Sequence, residues 1–459
     1  AVAVEIAATE TATTGRAGPV RLAVDGCTAP AGPATLDGAG ILRGSVWTPM
    51  SAGQVCLRLL DGAPVAVTVT VHGYFIGWGP GAASAAEAPP TVLHQAIPAP
   101  GLVPVTPVRL FDTRVEGAGP VPAGGTRTID LAAVAPAGAT AVTMNVTLTE
   151  ATAPGYLTVH ACSDPRPATS NLDAPAGATV AALVTVGLGV DDKVCVHLHA
   201  GGHLLADLAG WYVDGAGLGL ETRIPQRVLD TRDPSPAAPG AGTIRSVDLT
   251  SVVVAGTGAV ALNVTVDRPD ADGYVTAWPC DAARPVASTL NHTAGQTVAN
   301  AAVVRLGEDR RLCLYTQASA HLVVDLAGTF HADAAGGLLD TPPERLVDTR
   351  SMLTGPVRSG QVIPVRVGRD ADAAVVNVTV TDATGPGYVT VHPCGTATPT
   401  ASTLNTVPGR TVANQATVGL GPGGTVCILV FTNGGQAHLV VDLLAVVAPE
   451  AAALPIVLA

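Results

Sequence analysis

Apolar residues in this chain recur at every second position over short stretches. Val142-Thr-Met-Asn-Val-Thr-Leu148, Tyr156-Leu-Thr-Val-His160, Val194-Cys-Val-His-Leu-His199 and Leu204-Leu-Ala-Asp-Leu208 all alternate or run briefly apolar. A period of two is the signature of a strand with one buried face, and clusters of Gly, Pro, Asn, Asp and Ser between such runs mark the turns. Roughly seven or eight strands in about 110 residues predict an all-β module, a β-sandwich or a small barrel, of which the sandwich is favoured.

That pattern repeats. Arg109-Leu-Phe-Asp-Thr-Arg114 returns as Arg227-Val-Leu-Asp-Thr-Arg232 and Arg345-Leu-Val-Asp-Thr-Arg350, each 118 residues after the last. In the same order follow Asn145-Val-Thr, Asn263-Val-Thr and Asn377-Val-Thr, then Gly155-Tyr156, Gly273-Tyr274 and Gly387-Tyr388. The turns Thr169-Ser-Asn-Leu, Ala287-Ser-Thr-Leu and Ala401-Ser-Thr-Leu come next, then Thr179-Val-Ala-Ala, Thr297-Val-Ala-Asn and Thr411-Val-Ala-Asn. Each copy closes on His203-Leu-Leu-Ala-Asp207, His321-Leu-Val-Val-Asp325 or His438-Leu-Val-Val-Asp442. Residues 1–78 read as a worn, incomplete first copy that lacks the opening strands and the Asp-Thr-Arg motif. The predicted organisation is four tandem β-sandwich-like modules over 1–78, 102–214, 215–332 and 333–447. An Ala/Pro linker spans 79–101 and an apolar tail 448–459.

Cysteines add the compartment. There are eight, two per copy: Cys27 and Cys56, Cys162 and Cys195, Cys280 and Cys313, Cys394 and Cys427. The last three pairs share one spacing. Even pairs distributed one per module predict intramodular disulfides and an oxidising environment, each worth about 3–4 kcal/mol. A zinc site would need clustered ligands, and no C-x-x-C occurs. Residues Ala1 to Ala8 lack the basic flank of a signal peptide, so the chain reads as a processed or truncated product. Its net charge of −12 argues against nucleic acid as a partner, and no apolar run is long enough for a membrane-spanning helix.

The polar marks read as scaffold. Where the first copy lacks Asp-Thr-Arg, it also has Thr70 in place of the closing-strand aspartate, which suggests that aspartate and arginine meet in the fold. The expected structural ion pairs are Arg114–Asp207, Arg232–Asp325 and Arg350–Asp442. His203, His321 and His438 read as hydrogen-bonded residues at a strand start, and the group His197, His199, His203 as incidental. Asn145, Asn263 and Asn377 fit a glycosylation sequon but lie in apolar strands, which favours a buried hydrogen-bonding role. Asn291, in a turn, is the accessible sequon. No nucleophile, metalloprotease, phosphate-loop or dinucleotide motif appears, and the polar marks recur with every copy whereas a catalytic site is usually assembled once. The chain is therefore read as no enzyme, with no cofactor and no metal.

The ordered motifs from Arg109-Leu-Phe-Asp-Thr-Arg114 through Asn145-Val-Thr to His321-Leu-Val-Val-Asp325 resemble a repeat common in secreted actinobacterial proteins. Such modules occur alone in tandem or appended to cell-wall and extracellular hydrolases. The resemblance covers about residues 102–447 strongly and 1–78 weakly. It implies an extracellular, cell-surface setting and supplies no catalytic residues. The tail Ala451-Ala-Ala-Leu-Pro-Ile-Val-Leu-Ala459 loosely matches Ile224-Pro-Gln-Arg-Val-Leu229, which opens the third copy. Leu454, Ile456, Val457 and Leu458 are thus expected to act as a donor strand for the first copy, of another molecule or of the same one. The function expected is a secreted structural subunit of a surface fibre or filament, its partner being itself. The alternative is an array binding cell-wall polysaccharide or other glycan, with Trp211, Tyr212 and Trp278 as the local aromatics.

Overall fold

The computed structural model describes residues 99–448, apart from 116, 118, 190–191, 233–237, 352–354 and 369–370, together with the backbone of six strands before residue 75. The chain divides into two compact units, Ala1–Pro89 and Pro90–Ala459. All described regular structure is β, and all strand pairing is antiparallel.

In the first unit the strands are β1 (Val2–Glu10), β2 (Val20–Asp25), β3 (Ala34–Gly38), β4 (Leu42–Thr48), β5 (Cys56–Asp61) and β6 (Val65–Tyr74). They form two three-stranded sheets, ordered β4-β1-β6 and β3-β2-β5. Cys27 and the tail residues Leu454 to Leu458 lie outside the described residues, as does the side chain of Cys56.

The second copy supplies β7 (Gly101–Asp112), β8 (Thr126–Asp130), β9 (Ala139–Thr149), β10 (Gly155–Ala161), β11 (Leu172–Ala174), β12 (Val180–Gly187), β13 (Lys193–Leu198) and β14 (His203–Val213). One sheet runs β7-β14-β9-β12 and the other β8-β13-β10-β11. Counted within the copy these orders are 1-8-3-6 and 2-7-4-5, the strand order of a jelly roll. The third copy repeats both orders between Gly219 and His331, and the fourth between Gly337 and Ala448. Each pair of sheets encloses its own core, in the second copy built on Val142, Met144, Val146, Leu157, Val196 and Leu204.

The expected string of separate sandwich modules is corrected by what lies on the other face of the inner sheets. Strand β9 is buried almost throughout, which a two-layer module alone does not explain. Its even positions, Val142 to Leu148, face the copy's own core, while Ala141 joins a fourth core drawn from three copies. That shared core holds Leu102, Leu183 and Tyr212, Leu220, Ala261 and Phe330, and Leu338, Val375 and Val447. Six sheets therefore stand in a ring, with three inner sheets around a common centre and three outer sheets toward solvent. The opening strand β8 of the outer sheet shows the half-exposed alternation expected of that position.

Three backbone hydrogen bonds close the centre. Leu102 donates to the carbonyl of Leu218 at 2.8 Å, Leu220 to Gly336 at 2.7 Å, and Leu338 to Pro100 at 2.9 Å. Each bond runs between equivalent points of successive copies, and the last returns to the first. The residue preceding each donor is glycine, because the neighbouring segment leaves no room for a side chain. A Cβ at Gly101 would sit 2.5 Å from the Ala216 carbonyl oxygen, and one at Gly219 or Gly337 would be closer still to Ala334 or Ala99.

A shared centre predicts shared unfolding. Phe330 is 1% exposed in the common core, and Phe330→Ala is expected to cost about 3–5 kcal/mol. In chemical denaturation the whole transition of residues 99–448 should move to lower denaturant. A shift in only the third-copy portion of the signal would contradict the shared core.

Candidate functional site

The Asp-Thr-Arg motif ends the opening strand of each copy, beside the closing strand. Thr113, Thr231 and Thr349 are each 1% exposed. Their hydroxyls accept the backbone N–H of Leu204, Leu322 and Leu439 at 2.8–2.9 Å. The ring nitrogens Nδ1 of His203 and His438 lie 3.0 Å from Thr113 and Thr349 Oγ1, and His321 Nδ1 lies 2.8 Å from the Thr231 carbonyl. The three histidines thus clamp the end of the opening strand.

The ion pairs are not those the sequence suggested. Asp207, Asp325 and Asp442 are bound by Arg109, Arg227 and Arg345, the first arginine of each motif, through paired Nε and Nη2 contacts. Arg114, Arg232 and Arg350 instead turn back onto Asp112, Asp230 and Asp348, each Nη2 donating at 2.6 Å. Register decides between the two arginines: on β7 and β14 the residue opposite Asp207 is Arg109. Each motif aspartate also accepts from the first arginine, at 3.0, 2.6 and 3.1 Å. The result is a chain of four charges, Arg114–Asp112–Arg109–Asp207.

The charges respond as their surroundings require. The Arg114 guanidinium holds the Asp112 carboxyl down at about 2, and Arg350 does the same for Asp348. Asp230 is lowered by Arg232. Burial pushes Asp207, Asp325 and Asp442 up, with Arg109, Arg227 and Arg345 pulling back. The contribution of Asp112 and Asp348 is therefore complete above about pH 4 and is lost as pH falls toward 2.

The three asparagines read as buried hydrogen-bonding residues do bond, but across copies. Asn145 Nδ2 donates to the Ser288 carbonyl of the third copy at 2.5 Å, and Asn263 to Ser402 of the fourth at 2.5 Å. Asn377 donates to Ser170 of the second at 2.6 Å. Asn300 returns the contact, donating to Asn145 Oδ1 at 2.9 Å and accepting the Leu183 N–H at 3.1 Å. Asn414 bonds Asn263 and Ala301 in the same way. At the remaining junction Ala182 stands where those copies have asparagine, and Gln415 bonds Thr185 instead.

The disulfides Cys162–Cys195, Cys280–Cys313 and Cys394–Cys427 are formed, each across a sequence separation of 33. Three such bonds place the chain in an oxidising environment. Trp211, Tyr212 and Trp278 are buried at 3–5% exposure and present no face to a sugar. His197, His199 and His203 are spent separately: His197 on Thr126 and Arg166, His199 stacked on Tyr156, His203 on Thr113. Asn291 accepts from the Ser288 hydroxyl at 3.1 Å in the wall of a cleft.

That cleft lies between the second and third copies, with a volume of about 360 Å³, and its wall includes Arg109, Arg114, Thr147, Tyr274 and Arg284. A second, of about 370 Å³, lies between the fourth and second copies, walled by Arg345, Arg350, Thr379, Tyr156 and Arg166. The two sets occupy equivalent positions. Sequence reading missed them because each wall comes from two copies far apart in the chain.

No family model matches the chain, and no curated protein is similar to it at a meaningful level. Among solved structures it matches a chain from work on the triple jelly roll fold and turret assembly in an archaeal virus, at 10% identity and a TM-score of 0.19, over 77% of this chain and 91% of that one. It also matches a chain of Sulfolobus turreted icosahedral virus at 10% identity and a TM-score of 0.18, over 72% and 85%. A likeness of that size carries nothing about this chain's role.

The two arginines of one motif should behave differently. Arg109→Ala leaves Asp207 buried without a countercharge and is expected to destabilise by about 3–5 kcal/mol. Arg114, whose side chain is 44% exposed, should cost no more than about 1 kcal/mol on the same substitution. Equilibrium denaturation of both variants measures this, and equal losses would refute the assignment.

Proposed function

We propose that this chain is a non-catalytic structural protein of the extracellular cell surface, secreted and assembled from copies of itself. The observation that carries the reading is the fate of the repeated polar residues. In three copies the Arg-Asp-Thr-Arg charges, the strand-start histidine and the asparagine are consumed in holding strands and copies together. Polar groups committed to each other in a folded body act as scaffold. The disulfides fit a secreted protein, and the repeat's resemblance to modules of secreted actinobacterial proteins supports a cell-envelope setting.

Assembly into a filament is the finer part of the proposal. The first unit's two sheets match β12-β9-β14 and β11-β10-β13 of the second copy strand for strand. Among the described residues, β6 and β5 have one neighbour each, whereas their counterparts β14 and β13 pair on their far sides with β7 and β8. An open edge of this kind accepts an added strand. The tail residues Leu454, Ile456, Val457 and Leu458 are proposed to supply it head to tail, a heterologous contact that propagates unless it closes into a ring.

Deleting residues 454–459 tests this. The intact chain should show concentration-dependent growth in light scattering and extended particles by electron microscopy, and the deletion should leave monomers. Filaments formed equally well by the shortened chain, or monomers from both, would defeat the proposal.

A further inference from the structure

One junction of the ring differs from the other two at an ionisable position. Strand β11 and its counterparts carry Asp173 in the second copy, Asn291 in the third and Asn405 in the fourth, each opposite a tyrosine of the neighbouring strand. Asp173 and Asn291 accept the hydroxyl of the serine three residues before, Ser170 at 3.3 Å and Ser288 at 3.1 Å. Asn291 lines the cleft between the second and third copies. Asn405 follows Ser402, whose carbonyl binds Asn263 of the third copy. The continuing chain bridges both of those junctions. Asp173 lines the cleft between the fourth and second copies, which no peptide link spans.

The charges around Asp173 match without it. Arg345 and Arg350 of the fourth copy share Asp348 and Asp442, and Asp382 adds its field to Arg350. The second copy contributes Arg166, turned to Nε2 of His197, and Tyr156, with His199 stacked on it. Strand β12 and the Val412–Gly419 strand of the fourth copy also pack on β11 and bring no charged side chain. Among the described residues no arginine or lysine forms an ion pair with Asp173. A carboxylate at this point adds a negative charge where the arginines are already committed. With its proton, the same carboxyl offers one donor and one acceptor in the shape of an asparagine amide.

We propose that Asp173 makes the closing junction of the ring a pH-sensitive seam: its protonated form fits there as Asn291 and Asn405 fit the other two, and its carboxylate weakens the closure. Burial pushes the Asp173 carboxyl up to about 6, with Ser170 and Arg350 pulling back and Asp442 adding to the rise. The same group ionises near 3.8 when its surroundings are lost. The folded ring therefore holds this proton more tightly than the unfolded chain. The stability it contributes is complete below about pH 4 and is lost as pH rises through 6. Asp207, Asp325 and Asp442 are also raised by burial and add slopes of the same sign, so the Asp173 part is isolated by substitution. The device belongs to the ring and stands whether or not rings join into filaments.

Chemical denaturation of the full chain and of Asp173→Asn, in dilute solution from pH 4.5 to 7.5, tests this. Relative to the variant, the folded-to-unfolded ratio of the parent should fall about 25-fold across that range. At pH 7.5 the variant should be the more stable of the two. Carbon-13 NMR of the Asp173 carboxyl follows the same group directly, and its midpoint should lie near 6. In Arg350→Gln that midpoint should move higher, because the cation that favours the carboxylate comes from the copy across the seam. Parallel pH profiles for parent and Asp173→Asn, a variant less stable than the parent at pH 7.5, or a midpoint near 4 would each overturn the proposal. A midpoint unmoved by Arg350→Gln would show that Asp173 does not face the fourth copy, and would overturn it too.

Discussion

The side-chain amide set in the third strand of each copy finds its partner on another copy of the repeat. Asn145, Asn263 and Asn377 occupy the third strand of their copies, on the face turned away from the local core. Their amides reach the Ser288, Ser402 and Ser170 carbonyls of the next copy round. Leaving such an amide unpaired costs about 1–3 kcal/mol, so each copy alone is incomplete in hydrogen bonding as well as in apolar contact. Three copies satisfy each other in a cycle, which turns a linear repeat into a ring.

The cycle is not uniform. Two junctions are bridged by the continuing chain, and both carry the reciprocal asparagine, Asn300 or Asn414. The third joins the fourth copy back to the second and has Ala182 at that position, with Gln415 and Thr185 bonding nearby instead. Closure there depends wholly on non-covalent contacts, including Leu338 to Pro100 at the centre. The clefts follow from the same geometry: they exist only because two copies meet.

Much of the local structure was legible in the sequence. Alternation predicted the strands, the common spacing predicted the three described disulfides, and the ordered motifs predicted where the polar residues lie within a copy. What failed were statements about partners. The motif and the closing aspartate recur together in three copies, which suggests that the charges meet, but both arginines travel with the motif, so the repeat cannot choose between Arg109 and Arg114. Strand register makes that choice, and register is not written in composition. The ring was hidden because beads on a string and a closed ring have the same repeat. Its one visible trace is Gly101-Leu102, Gly219-Leu220 and Gly337-Leu338, where glycine is required by the approach of a neighbouring copy. Tyr212 and Trp211, the local aromatics of the glycan-binding alternative, lie on strand β14 of an inner sheet, where both faces are covered.

Native-state hydrogen exchange at the amides of Leu102, Leu220 and Leu338 tests the ring most directly. Each belongs to a different copy and each donates one of the bonds that close the centre. If the three copies are one cooperative body, all three amides open with the same free energy, equal to that of global unfolding, and respond identically to denaturant. One amide exchanging at lower free energy while the other two stay protected would mean that the copies fold as separate units, and the ring account would be wrong.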